Sequence, residues 1–364
     1  MESLSRPEAA ADPSSPEEAA RAAFAAALGT FGEGPILLLG HFDADGLSAM
    51  AVLGRALAAS GRQVEPRIVG RGESPWSAEM RVELRARRPG GVIVTDLGVR
   101  DHAVLPDVPT IIIDHHVPQG SGGEAEVITG HGMAPIPTSS LLAWWCAGEL
   151  MQPEAREDLL WLAALGLIGD MAEGAGFPEL ARARARWGIT ALRDATSLIN
   201  QPRRSASGDA TPALALLLKS EGPKDVTSGR HPETEQLRAA AAEVKAALES
   251  ARRVAPKVVG DAALIRFSSP CQIHPLIAQQ WRGRLKDQIV IAANTGYREG
   301  WVHFACRTAT DRDLIAWLAE RRPPGADENY GSGHRQATGG ALRYPDWNAF
   351  ISSLGFGPDV QVLS

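Results

Sequence analysis

Four times in the first half of the chain, acids or histidines follow directly on a short strand-like apolar run, and this recurrence constrains the fold more than any other feature. The segments are His41-Phe42-Asp43-Ala44-Asp45-Gly46 after Ile36-Leu37-Leu38-Leu39, Asp96 after Val92-Ile93-Val94, Asp114-His115-His116 after Ile111-Ile112-Ile113, and Asp170 in Gly169-Asp170-Met171. Apolar runs this short, bounded by polar residues, have the form of buried parallel strands. In an open α/β sheet the carboxyl ends of neighbouring strands share one crevice, so groups far apart in sequence can converge there. The pattern predicts a doubly wound, mostly parallel α/β sheet with acids and imidazoles gathered at one edge. Gly46 suits the tight turn where a strand hands over to a helix.

One His-x-Asp-x-Asp would be ordinary loop polarity, but four such segments together call for a shared cause. Carboxylates crowded into one pocket raise each other's pKa unless a cation compensates. Mixed carboxylate and imidazole donors suit Mn²⁺ or a related divalent ion, whereas a closed zinc site would favour cysteine. Two such ions, bridged by one carboxylate, would clamp the attacking and departing oxygens of a phosphoryl displacement.

The remaining organisation follows from local signals. Residues 1–15 are rich in Ala, Pro, Ser and Glu without apolar periodicity and read as a disordered tail. Ser15-Pro16-Glu17-Glu18 then opens a helix, with Ser15 as N-cap and Glu18 completing a capping box, and that helix ends near Gly29. Helical stretches are expected at 138–151, 154–169 and 178–198, closing a first domain over 16–200. Residues 201–254 read as a linker interrupted by the apolar run Leu214 to Leu218, followed by an amphipathic connecting helix that carries Leu237, Ala240, Ala241, Val244, Leu248 and Ala251. A smaller α/β domain is expected over 255–364, with strands at 262–267, 288–293 and 301–306, a helix near 311–321 and a glycine-rich turn.

Bulk composition narrows the setting. A chain of 364 residues, 44% hydrophobic and 22% charged, suits about two globular domains. The net charge of −6 gives no whole-chain basic footprint, so nucleic-acid contacts must be local. Cys146, Cys271 and Cys306 are too far apart for a zinc knuckle or a disulfide framework and read as packed thiols. No basic leader precedes an apolar stretch and no run reaches membrane-spanning length, which leads to the expectation of a cytoplasmic protein without a membrane partner. His102, His131, His231 and His303, and the tryptophans including Trp144-Trp145, are expected to be structural or exposed rather than functional.

His41-x-Asp43-x-Asp45-Gly46 with Asp114-His115-His116, joined in order by Asp96 and Asp170, resembles the signature of the DHH phosphoesterase family over roughly residues 35–175. That family includes RecJ-like exonucleases, NrnA-type nanoRNases that also act as pAp phosphatases, and cyclic dinucleotide phosphodiesterases. The resemblance implies that His41, Asp43 and Asp96 hold one Mn²⁺ and that Asp45, Asp96, His115 and Asp170 hold the other, with Mg²⁺ as the alternative ion. Asp96 would be the bridge, Asp114 would orient the neighbouring histidines, and His116 would contact the scissile phosphate or its departing oxygen.

Gly331-Ser332-Gly333-His334 is similar to the glycine-glycine-histidine motif of the family's C-terminal associated domain, with Ser332 where a glycine is common. Turns of this kind let backbone N–H groups approach a phosphate. Arg307 corresponds to the family's substrate arginine, a planar fork suited to phosphate, and His274 lies in Cys271-Gln272-Ile273-His274-Pro275, a segment like that of RecJ-like members. The implied function is Mn²⁺-dependent hydrolysis of single-stranded DNA or RNA, or short oligonucleotides, to mononucleotides. The rival readings are a pAp phosphatase, a cyclic dinucleotide phosphodiesterase and, remotely, a non-catalytic nucleic-acid-binding scaffold. Strand polarity, DNA versus RNA, and whether the chain forms a dimer stay open at this point.

Overall fold

The computed structural model describes residues 15–326, 330, 331 and 333–363; the tail 1–14 and Ser332 lie outside them. Contacts divide the chain into two compact units. The first runs to Arg203 and takes in Asp209–Leu237; the second comprises Arg204–Gly208 and the chain from Arg238 onward.

In the first unit α1 (Pro16–Leu28) begins where the sequence signals it: the Ser15 side chain accepts the Glu18 N–H at 3.2 Å. A five-stranded sheet follows, built from β1 (Ile36–His41), β2 (Val64–Val69), β3 (Gly91–Thr95), β4 (Thr110–Asp114) and β5 (Glu126–Thr129) in the order β2-β1-β3-β4-β5. Every pairing is parallel. Because side chains alternate along a strand, Ile36, Leu38, Ile93, Ile111 and Ile113 enter one core while Leu37, Leu39, Val92, Val94 and Ile112 enter another on the opposite face. Both faces are covered, which explains the near-continuous apolar strands.

The first core receives α2 (Ala44–Ala59), whose Leu47, Met50, Val52, Leu53 and Leu57 are fully buried; the second receives Met80 and Leu84 of α3 (Ala78–Ala86). Beyond β5 come α4 (Ser139–Ala147), α5 (Pro153–Glu157), α6 (Leu160–Gly169), α7 (Pro178–Trp187), α8 (Ile189–Ile199), α9 (Thr211–Lys219) and α10 (Pro223–Ser228). The expected helix at 154–169 is two helices, and that at 178–198 breaks at Gly188, whose φ of 82° no helix continues. The run Leu214 to Leu218 lies in α9, and Leu214, Leu216 and Leu217 bury in the first core, so this part of the stretch read as linker packs as body.

The second unit takes most of α11 (Pro232–Ala251). Its six-stranded sheet runs β10 (Gly333–His334), β11 (Ala337–Arg343), β9 (Trp301–Arg307), β8 (Ile289–Arg298), β7 (Ala262–Phe267), β6 (Lys257–Val259). Only β7 and β8 pair in parallel, and α12 (His274–Arg282) makes the crossover between them. On one face Phe304 packs against Trp347 and Phe350, with ring centroids at 5.6 and 5.7 Å, beneath α13 (Leu314–Ala319) and α14 (Tyr344–Ser353). The glycine-rich stretch is a hairpin rather than a plain turn, pairing Gly333 with Thr338 and His334 with Ala337. Among the described residues no helix is long and apolar enough to cross a membrane, and Cys146, Cys271 and Cys306 are buried thiols outside any disulfide.

Candidate functional site

Three of the four polar segments leave the carboxyl ends of adjacent strands, at the point where the strand order reverses between β1 and β3. His41 ends β1, and Asp43 caps α2 by accepting the Gly46 N–H at 3.2 Å. Two residues on, Asp45 is fully buried. Its two oxygens accept the Ser139 and Ser140 N–H groups, at 2.8 and 2.9 Å, where α4 begins and its dipole favours negative charge. This approach needs Gly166: a Cβ there would collide with Ser140 Oγ and Asp45 Oδ1. Asp96 follows β3 with a left-handed φ of 62°. Asp114 ends β4 fully buried, with Oδ2 accepting the Gly98 N–H at 2.7 Å and Oδ1 accepting the His116 N–H at 2.8 Å. Asp170 departs from the expected pattern. It caps the C-terminus of α6, a helix that delivers it to the same crevice from above the sheet edge.

The eight side chains meet. His41 Nδ1 lies 3.1 Å from Asp43 Oδ2 and 3.7 Å from Asp96 Oδ2. His115 Nε2 faces Asp170 at 3.1 Å, Asp96 at 3.4 Å and Asp45 at 3.8 Å, yet it is buried without a hydrogen bond of good geometry to any of them. His116 Nδ1 is 3.1 Å from Asp114 Oδ1 and 3.9 Å from Asp96 Oδ1. Three sets have their donor atoms within 4.8 Å of one another: His41, Asp43 and Asp96; Asp45, His115 and Asp170; Asp96, His115 and His116. Asp96 and His115 thus each belong to two of them, and His116 joins both in the third.

Electrostatics show how ill-balanced the group is by itself. Burial, with Asp96 and Asp170 adding repulsion, pushes the Asp45 carboxyl well above the usual range. Burial alone would lower the His41 imidazole, but Asp43 and Asp96 lift it to about 10; His115, likewise opposed by burial, is lifted to about 11 by Asp170, Asp96 and Asp45. The hydrogen bond with Asp114 raises His116, while Asp114 itself is held down against burial. Burial would also raise Asp43, but His41 and Arg203 hold it low. A cluster that must retain protons to offset its own carboxylates fits divalent cations well. A cleft of about 320 Å³ opens beside it, lined by His41, Asp43, Asp96, His116 and Asp170 together with residues 97–100, Val117 and Gln119.

No family model matches the chain. It is 30% identical over 215 residues to the single-stranded-DNA-specific exonuclease RecJ of Thermus thermophilus, a stretch covering 50% of this chain and 32% of that protein. To RecJ of Dickeya dadantii it is 27% identical over 236 residues, covering 50% of this chain and 41% of that protein. The chain spans less than half the length of either relative. A solved structure, exonuclease RecJ bound to manganese, superposes with a TM-score of 0.66 at 22% identity, covering 93% of this chain and 95% of that one, and so shows the same fold. The chain is RecJ-like in sequence over half its length and RecJ-like in fold.

Three residues of this RecJ-like chain that shape the cluster escape a reading of the sequence. Arg203 Nη1 reaches Asp43 Oδ2 at 2.9 Å, Ser139 Oγ donates to Asp96 Oδ1 at 3.0 Å, and Asn200 Oδ1 accepts the Ala44 N–H at 3.0 Å. The run Thr138-Ser139-Ser140 before an apolar stretch does signal a helix start. Arg203 and Asn200 carry no such signal.

The second unit of the RecJ-like chain places its own expected residues. Arg307 ends β9, half-buried, its Nη1 donating to the Cys306 and Thr338 carbonyls at 2.8 and 3.2 Å. Arg307 pairs with Ala337, and Ala337 with His334, so the arginine and the exposed His334 stand in one row across three strands. Gly331 and Gly333 have φ of 78° and 128°, and the Gly331 N–H donates to Gly339 O at 2.9 Å. His274 begins α12, buried, with its ring 5.8 Å from Tyr297 and 6.0 Å from His303.

Proposed function

We propose that this protein hydrolyses phosphodiester bonds in single-stranded or very short nucleic acids with two Mn²⁺ ions, Mg²⁺ serving as the alternative, and releases mononucleotides. One observation carries the reading: His115 Nε2 sits buried among Asp45, Asp96 and Asp170 without a proper hydrogen bond, the position of a ligand atom facing a shared cation. The names of the RecJ relatives favour DNA over RNA. The buried cysteines, none of them in a disulfide, suit a reducing, cytoplasmic setting.

His41, Asp43 and Asp96 would hold one ion, and Asp45, Asp96, His115 and Asp170 the other. Divalent ions bound there would lower the pKa of a water to give a nucleophile near neutral pH and offset the charge developing on the phosphate. The protein's own groups supply orientation and protons. Ser139 and the left-handed turn aim Asp96. Asp114 fixes the His116 ring through Nδ1 and favours its protonated form, so the opposite nitrogen can donate to a phosphate or departing oxygen. In the second unit, Arg307, Gly331, Gly333, His334 and His274 would bind the substrate, the fork of Arg307 gripping a phosphate.

Turnover in Mn²⁺ on two-, five- and twenty-nucleotide strands, on pAp and on cyclic di-AMP tests this. Cleavage of the short strands to mononucleotides is expected; exclusive action on pAp or the cyclic dinucleotide would overturn it.

A further inference from the structure

The cleft beside the acids and imidazoles does not end with them. Leu97 to Arg100 leave Asp96 along one side, while His116, Val117 and Gln119 line the other. The two stretches are fastened together. Arg100 and Gln119 form a parallel bridge, the Gln119 N–H donates to Val99 O at 3.0 Å, and the Gly122 N–H donates to Arg100 O at 2.9 Å. The backbone at Arg100 is therefore held by residues 119–122, and its side chain has a fixed origin.

The guanidinium itself is held by an aromatic face. It lies 5.9 Å from the centroid of the Trp76 ring, and Trp76 packs into the second core of the sheet. Among the described residues no acid pairs with Arg100 and no side-chain hydrogen bond engages it. Among the described residues it is also the one Lys or Arg lining this cleft. Most other arginines near the sheet are committed: Arg67 to Glu73 and Glu83, Arg87 to Glu83, Arg203 to Asp43. An uncommitted planar fork backed by an aromatic ring is poised to bind an anion at both nitrogens.

We propose that Arg100, backed by Trp76 and tied through its backbone to Gln119, forms a second phosphate subsite for the phosphodiester next to the one at the acid–imidazole cluster. The inference rests on the phosphodiesterase reading and adds to it a requirement on the substrate, namely two successive phosphates in one strand. Val117, 70% exposed between His116 and Gln119, offers the apolar surface against which the intervening sugar or base packs. The cleft, about 320 Å³, is at the small end of ligand sites and suits one nucleotide between the two phosphates.

The test compares Arg100→Gln and Arg100→Lys with the wild-type full-length chain on a 5′-phosphorylated pentanucleotide and on bis(p-nitrophenyl) phosphate, a diester with no neighbouring phosphate. For Arg100→Gln the ratio of kcat/KM, pentanucleotide over bis(p-nitrophenyl) phosphate, should fall about tenfold or more, chiefly through KM, and Arg100→Lys should recover part of it. An unchanged ratio overturns the subsite. Binding of a labelled pentanucleotide in Ca²⁺ gives a second readout: Arg100→Gln should reduce the salt slope by about 0.7, one phosphate contact on a single strand. If the wild type turns over neither substrate, the phosphodiesterase reading fails while the salt slope still decides the subsite. Identical slopes, or a wild type that does not bind the strand, reject it.

Discussion

Gly166→Ala probes the packing that presents Asp45 without replacing any titrating group. The residue sits inside α6, where replacing glycine by alanine ordinarily gains about 1 kcal/mol of helix stability. Here the added methyl would strike Ser140 Oγ and Asp45 Oδ1, both buried, and such overpacking costs about 1–3 kcal/mol. The net change is about 0–2 kcal/mol of lost stability, small enough for the chain to remain folded. The function should suffer far more. The collision moves the carboxylate off the Ser139 and Ser140 N–H groups, and a misplacement of about 1 Å is worth about a hundredfold in rate. Mn²⁺ affinity from calorimetry and turnover on a pentanucleotide should both drop steeply while the melting temperature moves by a few degrees. Gly54→Ala is the control, because its methyl would meet only the tips of Leu218 and Leu38, at 3.2 and 3.8 Å. A Gly166→Ala protein with wild-type Mn²⁺ affinity and turnover would refute this account of the site.

Other outcomes follow from the same geometry. Asp96→Asn, chosen because asparagine tolerates the left-handed φ of 62°, should fold normally yet lose nearly all turnover, and rates close to wild type would show that Asp96 is not shared between ions. In the metal-free protein His41 and His115 hold protons up to about pH 10 and 11, so an incoming ion must expel them; Mn²⁺ affinity should rise with pH through the neutral range, with proton release measurable by calorimetry in two buffers. Mn²⁺ at about a hundred times its Kd should add about 2.7 kcal/mol to stability, seen as a melting shift of roughly 5–10 °C that EDTA abolishes. Trp347→Ala, removing a fully buried ring from the second unit, should cost about 3–5 kcal/mol there while Mn²⁺ uptake by the first unit persists.

Much of the first sheet was legible because β1, β3 and β4 are buried on both faces and read as unbroken Leu, Ile and Val. The edge strands β2 and β5 were not. β2 carries Glu65, Pro66 and Arg67, a composition that only an edge position tolerates, and β5 is four residues long and partly exposed. Helix breaks at 158–159 and Gly188 fall where helical periodicity continues on either side, so spacing alone could not place them. The acids and histidines stood out because each follows an apolar run at once. Asp170 shared the look but not the cause, since its run is a helix. Arg203, Asn200 and Gly166 meet the cluster only through tertiary packing, and nothing in their sequence neighbours announces it.

The grip of α4 on Asp45 bears on how the chain reaches its native state. A carboxylate sealed from water with no donors is costly by several kcal/mol, and its donors are backbone groups 94 and 95 residues away. A slip of one residue along α4 would turn its first N–H groups aside by about 100° and leave the buried carboxyl without donors. The acidic centre should thereby disfavour near-native packings in which the two helices touch in the wrong register.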